Sequence, residues 1–547
     1  MKLKRKILLL FGVGMIIIGL SACGTNKTDI KNTDNKTFAT NAKDVISTMD
    51  SSLNSTIIGS QQLKNTMEGL YRFNGNKVIP GVAKEIAKPT NNGKKYIFNL
   101  RKSKWSNGDP VTASDFVYAW RRIVNPKTGS SFSYAYSGIK NADKISSGKM
   151  NPDKLGVKAL DDYTLEVNLE HPISYFNELI VSSRFLPLNK KAVKKAGDQY
   201  GTNSENVVYN GPFKLINWKV GDTSWKEVKN NNYWNEKQVK LNTLKYNVVK
   251  DPNTGINLYN THKIDRYSDL SGDTALQLKN KKDFVTDPSQ AMYYLQLNQK
   301  DNPLFKNEKI RQAISHSINR NQLANNILGN TVKAASSVVP SQTIFNKKTN
   351  KDFKQEKSSV NDLKYTKYNP KLAKKLWKEG LKETNIKNPS ISLVTDDQDS
   401  SKKISEYLQS VLTSNLDGLK VNVSNVPFKN RLQKGNSGDF DLILWGWIPD
   451  YPDPSTTLDL FTTNNSMNTG KWSNKEYDKL QKLSSITDAN NYQKRWNDLL
   501  KQQHILTKEQ GVVPLYQNKI AALMRSDVKN YRPSPDGLFD MVDVYKK

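Results

Sequence analysis

A single cysteine, Cys23, stands in the whole chain, so no intramolecular disulfide can brace the fold. Histidine is nearly as scarce. His171, His262, His316 and His504 lie far apart, in no His-Glu-x-x-His or other metal-ligand spacing, and no cofactor is expected. Neither a Walker-type phosphate loop nor a Gly-x-Ser-x-Gly elbow occurs. Fragments of a serine acyl-enzyme set do occur: Ser-x-x-Lys at Ser400–Lys403 and Ser526–Lys529, Ser-x-Asn at Ser466–Asn468, and Lys-Thr-Gly at Lys127–Gly129. The last of these comes first in the chain, inside a turn, and a lysine- and serine-rich sequence yields such matches by accident. The carboxylate pairs Asp161/Asp162 and Asp396/Asp397 fall in turns, where water is the partner. A binding protein is therefore expected rather than an enzyme. Acidic residues are also short, 52 against 83 Lys and Arg, for a formal net charge of +31. The lysines are spread without a dense basic run or nucleic-acid motif, so nucleic acid is not the expected partner. A cationic solvated surface facing anionic lipids or cell-wall polymers fits this pattern.

Long apolar runs are absent but for one. Lys2, Lys4, Arg5 and Lys6 precede the fourteen apolar residues Ile7–Leu20, too few to span a bilayer comfortably. That pattern reads as a signal peptide over 1–22. It ends in Leu20-Ser21-Ala22-Cys23-Gly24, which resembles a bacterial lipobox; the resemblance implies lipidation of Cys23 and a lipid anchor. Residues 23–40 read as a polar tether, and the remainder of the chain reads as a soluble body.

Aromatic residues are plentiful (10 Trp, 24 Tyr, 17 Phe), and 547 residues exceed what one core holds, so two or three domains are expected. The densest stretch is Phe440–Phe461, FDLILWGWIPDYPDPSTTLDLF. On a strand, Ile443, Trp445 and Trp447 share one face and Leu442, Leu444 and Gly446 the other. Both faces are apolar, which predicts a central, buried strand. Pro449, Pro452 and Pro454 end it. Asp450 sits where strand gives way to loop, and a carboxylate at an apolar rim costs free energy unless a cation meets it. That cation is either a guest's ammonium or a lysine of the chain; capping the turn is the other structural role.

Tyr96–Arg122, YIFNLRKSKWSNGDPVTASDFVYAWRR, predicts a strand, a turn at Asn107–Pro110, and a helix begun by Thr112 with Asp115 three residues on. This segment and the Trp-containing Asp450-Tyr451 stretch together resemble the extracytoplasmic oligopeptide-binding proteins of ABC importers, solute-binding family 5. The resemblance implies an α/β, two-lobed periplasmic-binding-protein fold with an additional inserted lobe and a multi-strand hinge. Lobe I is expected over 41–81, 206–300 and 516–547, the inserted lobe II over 82–205, and lobe III over 301–515. Within lobe III, Asn369, Pro370 and Gly380 predict a helix that stops at the glycine. Pro303–Arg320 predicts another helix, with Arg311 and Arg320 at its edge.

By the same resemblance, the protein captures oligopeptides and delivers them to permease subunits of an ABC importer, as a monomer on the membrane's outer face. Asp450 holds the peptide's amino terminus, next to Tyr451. The opposite wall comes from Glu68, Gly69, Leu70 and Tyr71. Gly446 would let a ligand backbone approach closely. Trp445 and Trp447 line a side-chain pocket or pack the core. Tyr134 and Tyr136 reach in from the inserted lobe. The alternatives on this scaffold are a receptor for a peptide pheromone, a nickel chelate or haem; a cell-wall hydrolase or an adhesin is the reading from another class.

Overall fold

A computed structural model describes residues 36–547. Its backbone is one eleven-stranded mixed sheet. Ten strands run in the order Lys420–Val426, Ser390–Asp396, Leu442–Trp447, Phe284–Leu297, Val513–Met524, Arg266–Leu270, Thr37–Ala42, Thr243–Val248, Ser224–Lys229 and Phe213–Ile216. The short strand Val332–Ala334 pairs with Val513–Met524 off this path. Phe284–Leu297 and Val513–Met524 are long enough to serve both halves of the sheet. The first pairs with Leu442–Trp447 through Met292–Leu297 and with Val513–Met524 along its length. Their mutual register shifts between Pro288 and Met292 and again between Tyr293 and Tyr294. Such bulges bend and twist a ladder locally, which suits strands that link two bodies.

The strand Leu442–Trp447 is central, as its two apolar faces predict. It lies parallel to Ser390–Asp396 and antiparallel to Phe284–Leu297. Leu442 and Leu444 pack into a core with Ile310, Trp377 and Leu408 from the helices Glu308–Ser317, Pro370–Thr384 and Asp399–Asn415. Ile443 and Trp445 face a second core holding Phe461, Trp472, Tyr477 and Trp496. Alternation along one strand thus feeds two cores at once.

The helix Pro370–Thr384 does not stop at Gly380. It runs on to Thr384, and Gly380 within it faces Ile310 so closely that a Cβ there would lie 2.7 Å from the Ile310 side chain. The glycine serves helix-to-helix contact, and Asn385, at φ 54°, ends the helix instead. The stretch Pro303–Arg320 breaks at Asn307, whose side chain caps Glu308–Ser317 by accepting from the Ile310 N–H at 3.2 Å. Arg311 and Arg320 are buried rather than at an edge. Arg320 donates to the carbonyls of Pro514 (2.6 Å) and Thr366 (2.8 Å), and Arg311 to those of Glu509 and Phe305.

The inserted stretch carries its own three-stranded sheet, Val157–Asp161, Thr164–Asn168 and Lys95–Asn99, with the helix Ala113–Val124 packed on it. Asp115 accepts from the Thr112 backbone N–H at 2.9 Å and from Trp105 Nε1 at 3.2 Å, tying the turn to the helix start. The chain's last residues return to its beginning: Val528, Met541, Val542 and Val544 are buried in the same cluster as Phe38 and Leu63. Among the described residues no helix is long and apolar enough to cross a membrane.

A candidate ligand site at Asp450

Parallel strands present a crevice at their carboxyl ends. Here those ends are Asp396, Val426 and Trp447, and the chain leaves the last of them through Ile448, which is 55% exposed. Asp450 lies in the loop beyond Ile448. Its backbone N–H donates to Thr456 Oγ1 at 3.2 Å. Its carboxylate faces the inserted stretch, where the Tyr134 hydroxyl donates to Oδ1 at 3.2 Å and Arg184 Nη1 stands 3.6 Å from the same oxygen. Burial and the neighbouring Asp450 charge push the Tyr134 hydroxyl up to about 12, so it remains a donor at neutral pH.

Among the described residues the cation nearest Asp450 is an arginine, where the sequence offered a lysine as the chain's own partner. The contact is loose, however. At 3.6 Å it exceeds a direct N–H···O bond, and the two side chains keep 26% (Asp450) and 21% (Arg184) of their exposure. Oδ2 of Asp450 accepts no hydrogen bond from any described residue.

Tyr451 lies flat against Tyr175 of the inserted stretch, centroids 4.2 Å apart and planes 6° from parallel. Behind it Asp453 holds Arg495 through two bonds of 2.7 and 2.8 Å, and Arg495 stands 5.5 Å from the Tyr175 ring. Burial pushes the Asp453 carboxyl up, but the Arg495 guanidinium outweighs it, so the group sits below its usual range. Asp459, buried nearby, goes the other way: desolvation raises it to about 7 despite Arg495. Further links join the same two stretches at the rim. Lys347 pairs with Glu178 at 2.8 Å, and Asn490 donates to the Asn92 carbonyl at 2.6 Å. The walls on either side of Asp450 thus touch each other.

Several residues expected at the ligand wall belong elsewhere. Trp445 is 4% exposed, packed under the Arg431 guanidinium (5.2 Å) and against Gly435, and is a core residue. The space beside Gly446 is taken by the Tyr293 ring, 2.9 Å from where a Cβ would stand, so its small size serves cross-strand packing. Trp447 is half-buried against the same core as Trp445, and its buried indole N–H meets no acceptor among the described residues. Tyr136 is fully buried, stacked on Phe185 at 4.4 Å, with its hydroxyl donating to the Arg184 carbonyl at 2.8 Å.

On the expected opposite wall, Glu68 is buried and occupied: it accepts from the Tyr233 hydroxyl at 3.0 Å and from Trp234 Nε1 at 2.5 Å. Its carboxyl is raised by burial, which Arg72 and the two aromatic donors oppose. Leu70 is buried, and the Tyr71 hydroxyl accepts from the Ala87 N–H at 2.7 Å. The carbonyls of Gly69 and Leu70 accept from Val82 and Gly81. Glu68, Gly69 and Tyr71 nonetheless line a cavity whose far side holds Ser183 and Leu186. Ser183 of that cavity is the chain neighbour of Arg184, which stands 3.6 Å from Asp450. Cys23 and residues 1–35 lie outside the described residues. Among the described residues no cluster of His, Cys, Asp and Glu is arranged to hold a metal.

Sequence reasoning missed Arg184, Tyr175 and the Asp453–Arg495 pair. Only the last left a trace, an acid among prolines with an arginine on a later amphipathic helix. Known proteins resemble the chain along nearly its whole length. A dipeptide-binding protein of Lactococcus lactis is 36% identical over 498 residues, 87% of this chain and 86% of its own. The dipeptide-binding protein DppE of Bacillus subtilis is 30% identical over 551 residues, 98% of this chain and 99% of its own. Among solved structures, Listeria monocytogenes OppA bound to peptide is 39% identical with a TM-score of 0.72, covering 94% of this chain and 100% of that one. The pheromone receptor PrgZ is 36% identical at the same TM-score, with 94% and 100% covered. Residues 77–469 match the family described as bacterial extracellular solute-binding proteins, family 5, middle. The chain belongs to the bacterial extracellular solute-binding proteins of family 5, with their two-lobed α/β fold.

Proposed function

We propose that this protein captures oligopeptides outside the cell and delivers them to an ABC importer, with Asp450 receiving the peptide's terminal ammonium. The observation that carries the reading is a partly exposed carboxylate whose Oδ2 accepts no hydrogen bond from any described residue, set at the carboxyl end of the central sheet between two stretches that touch each other. Relatives of high coverage are named for dipeptides and oligopeptides, which supports a peptide as the guest.

An extended peptide exposes unpaired N–H and C=O groups, and a cleft that supplies partners to the backbone binds without regard to side chain. Asp450 then fixes the end of the chain through a charge-assisted bond. Trp447 and Ile448 offer apolar surface beside it, and the contacts among Tyr451, Tyr175, Lys347 and Glu178 keep the cleft shut around the guest. In this reading the lobe made of residues 41–81, 206–300 and 516–547, with 82–205 inserted in it, closes on residues 301–515 about the strands Phe284–Leu297 and Val513–Met524, and Cys23 carries a lipid that keeps the monomeric receptor at the membrane. Mass spectrometry of material released from the purified protein tests it: peptides with free amino termini are expected, and a persistent non-peptide ligand would overturn it. The likeness to PrgZ favours one second reading, a receptor for a peptide signal. A single recurring sequence among the released peptides, in place of a mixture, would select it.

A further inference from the structure

The group facing Asp450 across the cleft is itself a cation, and its placement is built rather than incidental. Arg184 is fixed at its backbone by the Tyr136 hydroxyl, 2.8 Å from the Arg184 carbonyl, and Tyr136 is in turn stacked on Phe185. Its guanidinium lies over the Phe132 ring at 4.0 Å, the geometry of a cation–π contact. From that platform Nη1 reaches to 3.6 Å from Asp450 Oδ1, and Asp450 is the only carboxylate that Arg184 meets among the described residues.

We propose that Arg184 is a built-in surrogate for the ligand's ammonium: it neutralises Asp450 while the cleft is empty and gives way when a cationic guest arrives. This rests on the reading of Asp450 as the ammonium anchor. An acid at an apolar rim with no counter-charge is costly to hold, so an empty cleft gains from a resident cation. A tight bidentate pair would block the guest. The pair here is neither: one oxygen is shared with Tyr134, the distance is long, no described residue donates a hydrogen bond to the second oxygen, and both side chains stay partly in water. When displaced, the guanidinium keeps its aromatic platform on Phe132, so the exchange does not strand a charge. The arrangement makes formal positive charge the entry requirement, because a neutral, blocked amine cannot take over the role of Arg184.

The test uses the full mature chain and isothermal titration with oligoalanines of two to six residues, free or N-acetylated. Arg184→Met removes the charge but keeps a long side chain over Phe132. It is expected to bind the free-amine peptides about two- to fivefold more tightly, the scale of a partly exposed ion pair, and to leave acetylated peptides unchanged. Arg184→Lys keeps the competitor and should stay within about twofold of the natural chain, which separates loss of charge from loss of fold. Unchanged or weaker binding of free-amine peptides by Arg184→Met would overturn the surrogate. Asp450→Asn run in parallel tells the two failures apart. If it erases the preference for a free amine while Arg184→Met changes nothing, only the surrogate falls; if it leaves that preference intact, the anchor falls and the surrogate with it.

Discussion

Replacing Asp450 by Asn removes one charge and almost no volume, which makes it a clean probe of the anchor. A charge-assisted bond contributes about 1.5–3 kcal/mol. Part of this is offset in the free protein, because the carboxylate there gives up its contact with Arg184, a partly exposed pair worth about 0.2–1 kcal/mol. The net loss for a peptide with a free amino terminus is then about 1–2 kcal/mol, a weakening of about five- to thirtyfold in Kd. Calorimetric titration of the natural and Asp450→Asn chains against one peptide, free and N-acetylated, gives four numbers and closes a cycle. The acetylated peptide should bind both chains alike. The folded state should scarcely register the change, since Asp450 retains 26% of its side-chain exposure and meets Arg184 only loosely. Equal losses for both peptides, or a loss below twofold for the free one, would refute the assignment of the ammonium to this carboxylate.

Asp459 should make stability depend on pH in the opposite sense to Asp453. Folded Asp459 keeps its proton up to about pH 7 while the unfolded chain releases it near 4, so stability falls by about 1.4 kcal/mol per pH unit between those values and is level above. Asp459→Asn should lose that slope in urea unfolding curves at pH 5 and 7.5; an unchanged slope would assign the proton elsewhere. Gly446→Ala places a methyl group 2.9 Å from the Tyr293 ring and should cost about 1–3 kcal/mol in the same assay, with a neutral result contradicting the packing role. Cys23→Ser should release the protein into the medium or leave it unprocessed; normal membrane retention would count against the lipid anchor.

Periodicity made the central strand legible, since alternation from Leu442 to Trp447 separates two real cores. It could not say which aromatics face the guest. Trp445 and Trp447 share a face, yet one is sealed beneath Arg431 and the other half-buried at the strand's end, a difference set by the helix Phe428–Ser437 folding back over the strand it precedes. Gly446 and Gly380 were open to opposite mistakes for one reason: a glycine signals a close approach without naming who approaches, and here Tyr293 and Ile310 do. Glu68 reads as an available acid until Tyr233 and Trp234 are folded onto it. Arg184 left no trace at all, as one arginine in a Ser-Ser-Arg-Phe turn, because its meaning lies in a partner 266 positions away.

The burial of Val528, Met541, Val542 and Val544 among residues as early as Phe38 has a consequence for how this molecule comes into being. The cluster around Phe38 and Leu63 is complete only when these last-made side chains fill it. The strand Val513–Met524, also late, completes the sheet between the halves. Contacts this distant in sequence slow folding, so the step that closes this cluster pairs the two extremes of the described chain.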